Sequence, residues 1–123
     1  MRTLVVVDGA NVVGSVPDGW WHDRRGAAER LRDRLVAHAE KGVEGHPGPV
    51  DVVLVVEGAA RGVESVPGVR VESAPGSGDD HIVKVAAEAA GRPCLVITAD
   101  RELRRRVGEV GAHCAGPRTV RVP

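Results

Sequence analysis

Apolar positions along the chain fall into two kinds of run. Residues 4–7 are an unbroken Leu-Val-Val-Val stretch, and residues 50–56 are interrupted only by Asp51. Continuous β-favouring runs of this length predict strands buried on both faces. Residues 24–41 show the other pattern. Ala27, Ala28, Leu31, Leu35 and Ala39 recur at helical spacing, Arg30, Asp33 and Arg34 fall elsewhere on the wheel, and Gly42 is a stop. Residues 42–49 hold three Gly and two Pro and predict a loop. A short strand is expected over 69–71 and a further buried one over 94–98. Ser77-Gly78-Asp79-Asp80 opens a helix carrying Ile82, Val83, Ala86, Ala87 and Ala90, which Gly91 ends. Asp100 opens a third helix with Leu103, Val107 and Val110 inward and Gly111 beyond it. Residues 112–115 and 119–122 read as short extended pieces.

The resulting order, β-α-β-β-α-β-α-β, predicts an α/β protein: a three-layer α/β/α sandwich with a mainly parallel central sheet, in one domain over 1–123. In such sheets ligands gather outside the carboxyl ends of the strands. Composition changes this picture in one respect. There are 24 Val and only two Ile, no Phe, no Tyr and two Trp, so the core must be built from Val, Ala and Leu. The apolar runs are too short to span a bilayer, and the first one meets Asp8 at once, which argues against a signal peptide. A cytoplasmic protein with no membrane partner is therefore expected. Cys94 and Cys114 follow no metal spacing and read as buried thiols rather than a disulfide.

Formal net charge is zero, which argues against bulk electrostatic binding of nucleic acid. The charge is unevenly spread, however. Residues 1–91 carry 10 basic and 14 acidic side chains, whereas 92–123 carry 7 basic and 3 acidic. A basic surface beside an acidic pocket is compatible with that polarity.

The acids stand at particular places. The first strand runs into Asp8, followed by Gly9 and Asn11. The second runs into Glu57. The strand over 94–98 leads to Asp100, and the helix before it opens with Asp79 and Asp80. In a parallel sheet these ends share one edge, so carboxylates from distant parts of the chain should converge. Gathered like charges repel and raise one another's pKa, and a cation relieves this. Oxygen donors without His or Cys suit Mg²⁺ or Mn²⁺, and the matching chemistry is metal-assisted attack of water on a phosphodiester. Each acid also has a plainer reading: Asp8-Gly9 as a turn, Asp79, Asp80 and Asp100 as helix caps, Glu57 as a solvated acid. Their joint occurrence on the ligand edge favours the acidic site.

With those residues in hand, the sequence resembles a family. Val7-Asp8-Gly9-Ala10-Asn11-Val12 is similar to the opening D-G-x-N motif of NYN domains, which are PIN-like nucleases. Gly78-Asp79-Asp80-His81-Ile82 resembles their third motif, and Ile97-Thr98-Ala99-Asp100-Arg101-Glu102-Leu103 their fourth, an S/T-x-D at a strand end that opens a helix. The match runs in order over nearly the whole chain and is most similar to the bacterial YacP-like subgroup. One position departs: many relatives carry Asp where this chain has Glu57, a methylene longer. The resemblance implies a metal-dependent endoribonuclease, leaving a 5′-phosphate and a 3′-hydroxyl. Asp8, Glu57, Asp79 and Asp100 would be the catalytic and metal-binding set, with Asp80 as the alternative to Asp79. Asn11 would position Asp8 or the substrate. RNA is the implied partner, with ribosome association as an extension of it.

Further residues bear on substrate binding. Arg101, Arg104 and Arg105 share a helix face, and Arg101 lies near enough to the acids to meet a phosphate. For Arg104 to Arg106 a solvated face is the plainer reading. Of Trp20 and Trp21, one is expected to plug the core and the other to stack on an unpaired base; Trp21 is assigned to the substrate side. Ser77, within Gly76-Ser77-Gly78 at a helix start, could cradle a phosphate. His81 could act on a leaving group. The competing function is a catalytically idle RNA- or ribosome-binding module on the same fold. A nucleotide-binding protein of flavodoxin type lacks any nucleotide fingerprint.

Overall fold

The structure, a computed structural model, describes residues 1–121. In chain order its elements are β1 (Leu4–Asp8), α1 (Gly9–Gly14), a 3-10 turn (Trp20–His22), α2 (Arg24–Lys41), β2 (Gly42–Val43), β3 (His46–Pro47), β4 (Asp51–Val56) and a second 3-10 turn (Gly58–Ala60). There follow β5 (Val69–Ser73), α3 (Gly78–Glu88), β6 (Cys94–Ile97), α4 (Arg101–Glu109), β7 (His113–Ala115) and α5 (Arg118–Arg121). Five strands form one parallel sheet in the order β5-β4-β1-β6-β7. Its register places Val6 between Val53 and Val96.

Side chains alternate across the sheet and create two cores. Val5, Val7, Leu54, Val56, Leu95 and Ile97 face Leu31 and Leu35 of α2. Leu4, Val6, Val53, Val55 and Val96 face Ile82 of α3 and Leu103 and Val107 of α4. This is the expected three-layer sandwich. Because both faces are covered, the central strands need apolar residues at every position, which explains their unbroken runs. No helix among the described residues is long and apolar enough to cross a membrane.

The strand order carries a functional consequence. From β1 the chain moves outward through β4 and β5, then returns to the other side of β1 for β6 and β7. The topological switch point therefore lies between the carboxyl ends of β1 and β6, where Asp8 and Thr98 stand.

Several expectations change. Residues 42–49 do not form a plain loop, because positive φ at Gly42 (87°) and Gly45 (81°) turns the chain back on itself and lets β2 pair with β3. Residues 118–121 are helical rather than extended: Val120 docks into the α2-side core, and the turn is held by Val120 N–H on the Pro117 carbonyl. Val122 lies outside the described residues. The helix over 78–90 ends at Glu88, and Ala89 and Ala90 close in a tighter turn. Both cysteines are free thiols, but only Cys94 is buried and Cys114 is half-buried. Burial pushes both thiols up.

Helix α1 has no counterpart in the sequence reading. Its six residues are too few to show a period, and only Gly9 and Val12 are buried. It forms because Asp8 caps it and because Gly9 lets it start against β4. A Cβ at Gly9 would lie 2.6 Å from the Val55 carbonyl oxygen, which is backbone and cannot step aside. Gly9→Ala is accordingly expected to destabilise the protein by about 1–3 kcal/mol, with the cost read as a lower urea midpoint at unchanged m-value.

Candidate active site

Four segments meet at the carboxyl edge of the sheet. Asp8 ends β1 and is only 6% exposed. One carboxylate oxygen accepts the Asn11 N–H at 3.3 Å, which makes Asp8 the cap of α1. The other accepts the hydroxyl of Thr98 at 2.8 Å, across the switch point. Thr98 is fully buried, and its hydroxyl oxygen also accepts the Asp100 N–H at 3.1 Å. A single hydroxyl thus ties Asp8 to the loop that presents Asp100. A second tie runs in parallel: the Asn11 side-chain oxygen accepts the Ala99 N–H at 2.8 Å. Asp100 caps α4 by accepting the Leu103 N–H at 2.9 Å.

Glu57 follows β4. One of its oxygens accepts the Gly78 N–H at 2.5 Å, at the start of α3. A Cβ at Gly78 would sit 1.9 Å from that oxygen, so a larger residue there would push the Glu57 carboxylate aside. Ser77 caps α3, its hydroxyl accepting the Asp80 N–H at 3.4 Å. Two of the donors at this helix start, the Gly78 and Asp80 N–H groups, are therefore engaged by Glu57 and Ser77. Asp79 and Asp80 are first-turn residues, not caps.

Electrostatics shows which acids share the site. Burial holds the Asp8 carboxyl up at about 6, and the charges of Asp79 and Glu57 push the same way; the hydrogen bonds from Thr98 and Asn11 oppose them. Asp79 is likewise raised, by partial burial first and then by the charges of Asp100 and Glu57. Asp8 thus feels the charges of Asp79 and Glu57, and Asp79 those of Asp100 and Glu57, so that Asp79 links Asp100 to the other two. Asp80 points elsewhere, paired with Arg106 at 2.8 Å, and its side chain is 73% exposed.

The surrounding residues divide sharply. His81 is drawn to Glu72, with Nε2 2.6 Å from Oε1. Arg104 donates to the Thr98 carbonyl at 2.8 Å and so buttresses the site from within. Arg105 is paired with Glu102 and Glu109 on the solvent face. That leaves Arg101, which is exposed beside Asp100 and has no ion pair among the described residues. Trp21 is 49% exposed. Trp20 does not plug the core: it is half-buried, packed edge-on to Trp21 and covered by the Arg24 guanidinium 5.0 Å from its ring centre. The Val- and Leu-rich layers close without it. Thr98 and Gly78 were not singled out as site residues. The signal for Thr98 was the hydroxyl of its S/T-x-D motif; for Gly78 no local signal existed, because its partner is 21 residues away.

The donor set fits a hard divalent cation in kind: it is oxygen-only, and its members raise one another's proton affinity. In their present rotamers, no group of three His, Cys, Asp or Glu among the described residues is arranged to hold a metal ion. Binding would thus require rotation of the partly exposed carboxylates of Glu57, Asp79 and Asp100, or water between carboxylate and ion, which is the usual habit of Mg²⁺.

No protein-family model and no curated protein matches the sequence. The fold does have counterparts. A single-residue mutant of Rae1 (YacP) from Bacillus subtilis aligns with a TM-score of 0.77 at 19% identity, covering 98% of this chain and 72% of that one. A second crystal structure of Rae1 (YacP) aligns with the same TM-score and identity over 94% of this chain and 70% of that one. The chain therefore has the YacP-like fold that its motif order implied.

Proposed function

We propose that this chain, which has the fold of the YacP structures, is a metal-dependent endoribonuclease. The observation that carries the reading is the electrostatic linkage of Asp8, Glu57, Asp79 and Asp100 along the carboxyl edge of the sheet, with Asp8 held up at about 6 and Asp79 raised in the same direction. A buried carboxylate among other carboxylates is costly to the fold, and a bound cation is what would reward it. These four acids would hold Mg²⁺ or Mn²⁺, Asp8 as the fixed member and Asp79 in preference to Asp80. When bound, such an ion supplies a water of lowered pKa and neutralises charge on the phosphate.

The remaining roles belong to the chain itself. Thr98 and Asn11 hold Asp8 and the 98–100 loop in fixed relation, so that Asp8 and Asp100 are presented together. Arg101, free of carboxylate partners among the described residues, meets a phosphate of the strand and the charge that develops there. Trp21 offers a face for an unpaired base. Ser77 acts through α3, by keeping Asp79 in its first turn. With a pI near 7.0, the protein binds RNA by local contacts rather than by bulk charge.

One observation favours the second reading, a catalytically idle RNA- or ribosome-binding module: no three of the acids stand together as a ligand group. Titration of metal-free protein with Mn²⁺ or Mg²⁺ in the presence of a mixed RNA pool decides between the two. Cleavage that appears with metal and vanishes with chelator is the expected result. RNA binding without cleavage at any metal concentration would hand the function to the idle module.

A further inference from the structure

Beside the acidic edge lies a small pocket of about 150 Å³. It is lined by Trp20 and Arg24, by Gly9, Ala10 and Val13 of α1, and by Glu57, with Ala28 and Val56 its buried members. Its lining is mainly apolar, unlike the acids next to it. An apolar cavity of about 150 Å³ accommodates one benzene-sized ring. The cation over it is unusual. Arg24 rests on the Trp20 ring and, among the described residues, has no carboxylate partner, whereas its neighbour Arg25 is engaged by the carbonyls of Arg61 and Gly62. A guanidinium without a carboxylate partner among the described residues, an indole and an otherwise mainly apolar lining together match a planar ring joined to a phosphate.

We infer that this pocket receives one pyrimidine base of the RNA strand, stacked against Trp20, with the adjoining phosphate held by Arg24. The inference rests on the ribonuclease reading for its substrate class and adds to it a base preference. The pocket shares Glu57 with the acidic site, so a base seated there places its own nucleotide beside the carboxylates. A purine, with a second fused ring, would have to leave part of its surface projecting from the pocket into solvent and so gain less from it. Trp21 stacks from outside and cannot discriminate; Trp20, inside the pocket, can. The expected stacking is worth roughly tenfold in affinity.

The test needs no catalysis. In a Trp21→Phe background Trp20 is the only tryptophan, so its emission reports the pocket. With chelator present, the protein is titrated with CMP, UMP, AMP, GMP and ribose 5-phosphate. CMP and UMP are expected to change Trp20 emission saturably and to bind at least fivefold tighter than the other three. Ala10→Leu, which adds bulk to the lining, should weaken them about tenfold, and Arg24→Gln about threefold to fivefold. If Ala10→Leu fails to fold, Ala59→Leu, also in the lining, replaces it. Purine nucleotides binding as tightly, ribose 5-phosphate sufficing alone, or a filled pocket leaving CMP affinity unchanged would each overturn the inference. A protein that cleaves no RNA yet binds CMP in this pocket would sink the ribonuclease reading and keep the pocket. Cleavage with no loss of CMP binding on filling the pocket would do the reverse.

Discussion

Asp8→Asn should lower metal-dependent RNA cleavage by roughly 10²–10⁴-fold, the usual scale for losing a group that acts directly on the reacting centre. The same change should stabilise the metal-free protein at high pH. Asp8 titrates at about 6 in the fold against 3.8 unfolded, so between these values the folded state holds a proton that the unfolded state releases. Stability therefore falls as pH rises from about 4 through 6 and is level above. A shift of about two units corresponds to about 3 kcal/mol. Asparagine has no charge to bury. Less about 1 kcal/mol for poorer hydrogen bonding to Thr98 and Asn11, it should gain about 2 kcal/mol at pH 8 and lose up to about 1 kcal/mol at pH 4, where there is little charge burial left to relieve. Urea unfolding in chelator at the two pH values measures this. Equal stability of the two proteins at pH 8 would mean that Asp8 is an ordinary helix cap, and loss of activity would then need another cause.

Thr98→Val is expected to act on both structure and titration. Valine matches the volume of threonine, so packing is preserved and the effect isolates the hydroxyl. Asp8 loses its 2.8 Å donor in a buried setting, and the Asp100 N–H loses its acceptor. The cost should be about 2–3 kcal/mol at pH 8, where Asp8 is charged, and smaller at pH 5. Because the hydroxyl holds the Asp8 pKa down against burial, removing it should raise that pKa further, by roughly one unit. A carboxylate must be ionised to serve as a ligand, so the acid limb of the cleavage profile should move to higher pH by the same amount. Thr98→Ser keeps the hydroxyl and should restore the limb while leaving a small packing cost. A limb that stays in place in the valine protein would separate Thr98 from the titration of Asp8.

Much of this was legible in local pattern. The 24–41 helix matched its periodicity end to end because Ala27, Leu31 and Leu35 must face a sheet and Gly42 must stop the helix. The central strands announced themselves because a doubly covered strand has no position for a polar side chain. Helix α1, the β2–β3 hairpin and α5 were not legible. Each is too short for a period; α1 and α5 exist through contacts distant along the chain, Gly9 on the Val55 carbonyl and Val120 in the core, and the hairpin through the positive φ of Gly42 and Gly45.

The site divides along the same line. Acids at the ends of strands could be listed from the order of elements, because a parallel sheet sends every carboxyl end to one edge. Which of them would feel one another could not. Asp79 and Asp80 are adjacent and chemically identical, and the choice between them follows from helix phase: Asp79 looks toward Glu57 and Asp100, while Asp80 turns to Arg106. The arginines of α4 read as one basic face until their partners, Thr98 for Arg104 and the two glutamates for Arg105, removed all but Arg101 from play. Hydrophobic periodicity is a property of neighbours along the chain and survives in the sequence. The charge state of Asp8 depends on burial and on groups up to 90 residues away, and comes into being only when the sheet closes over it.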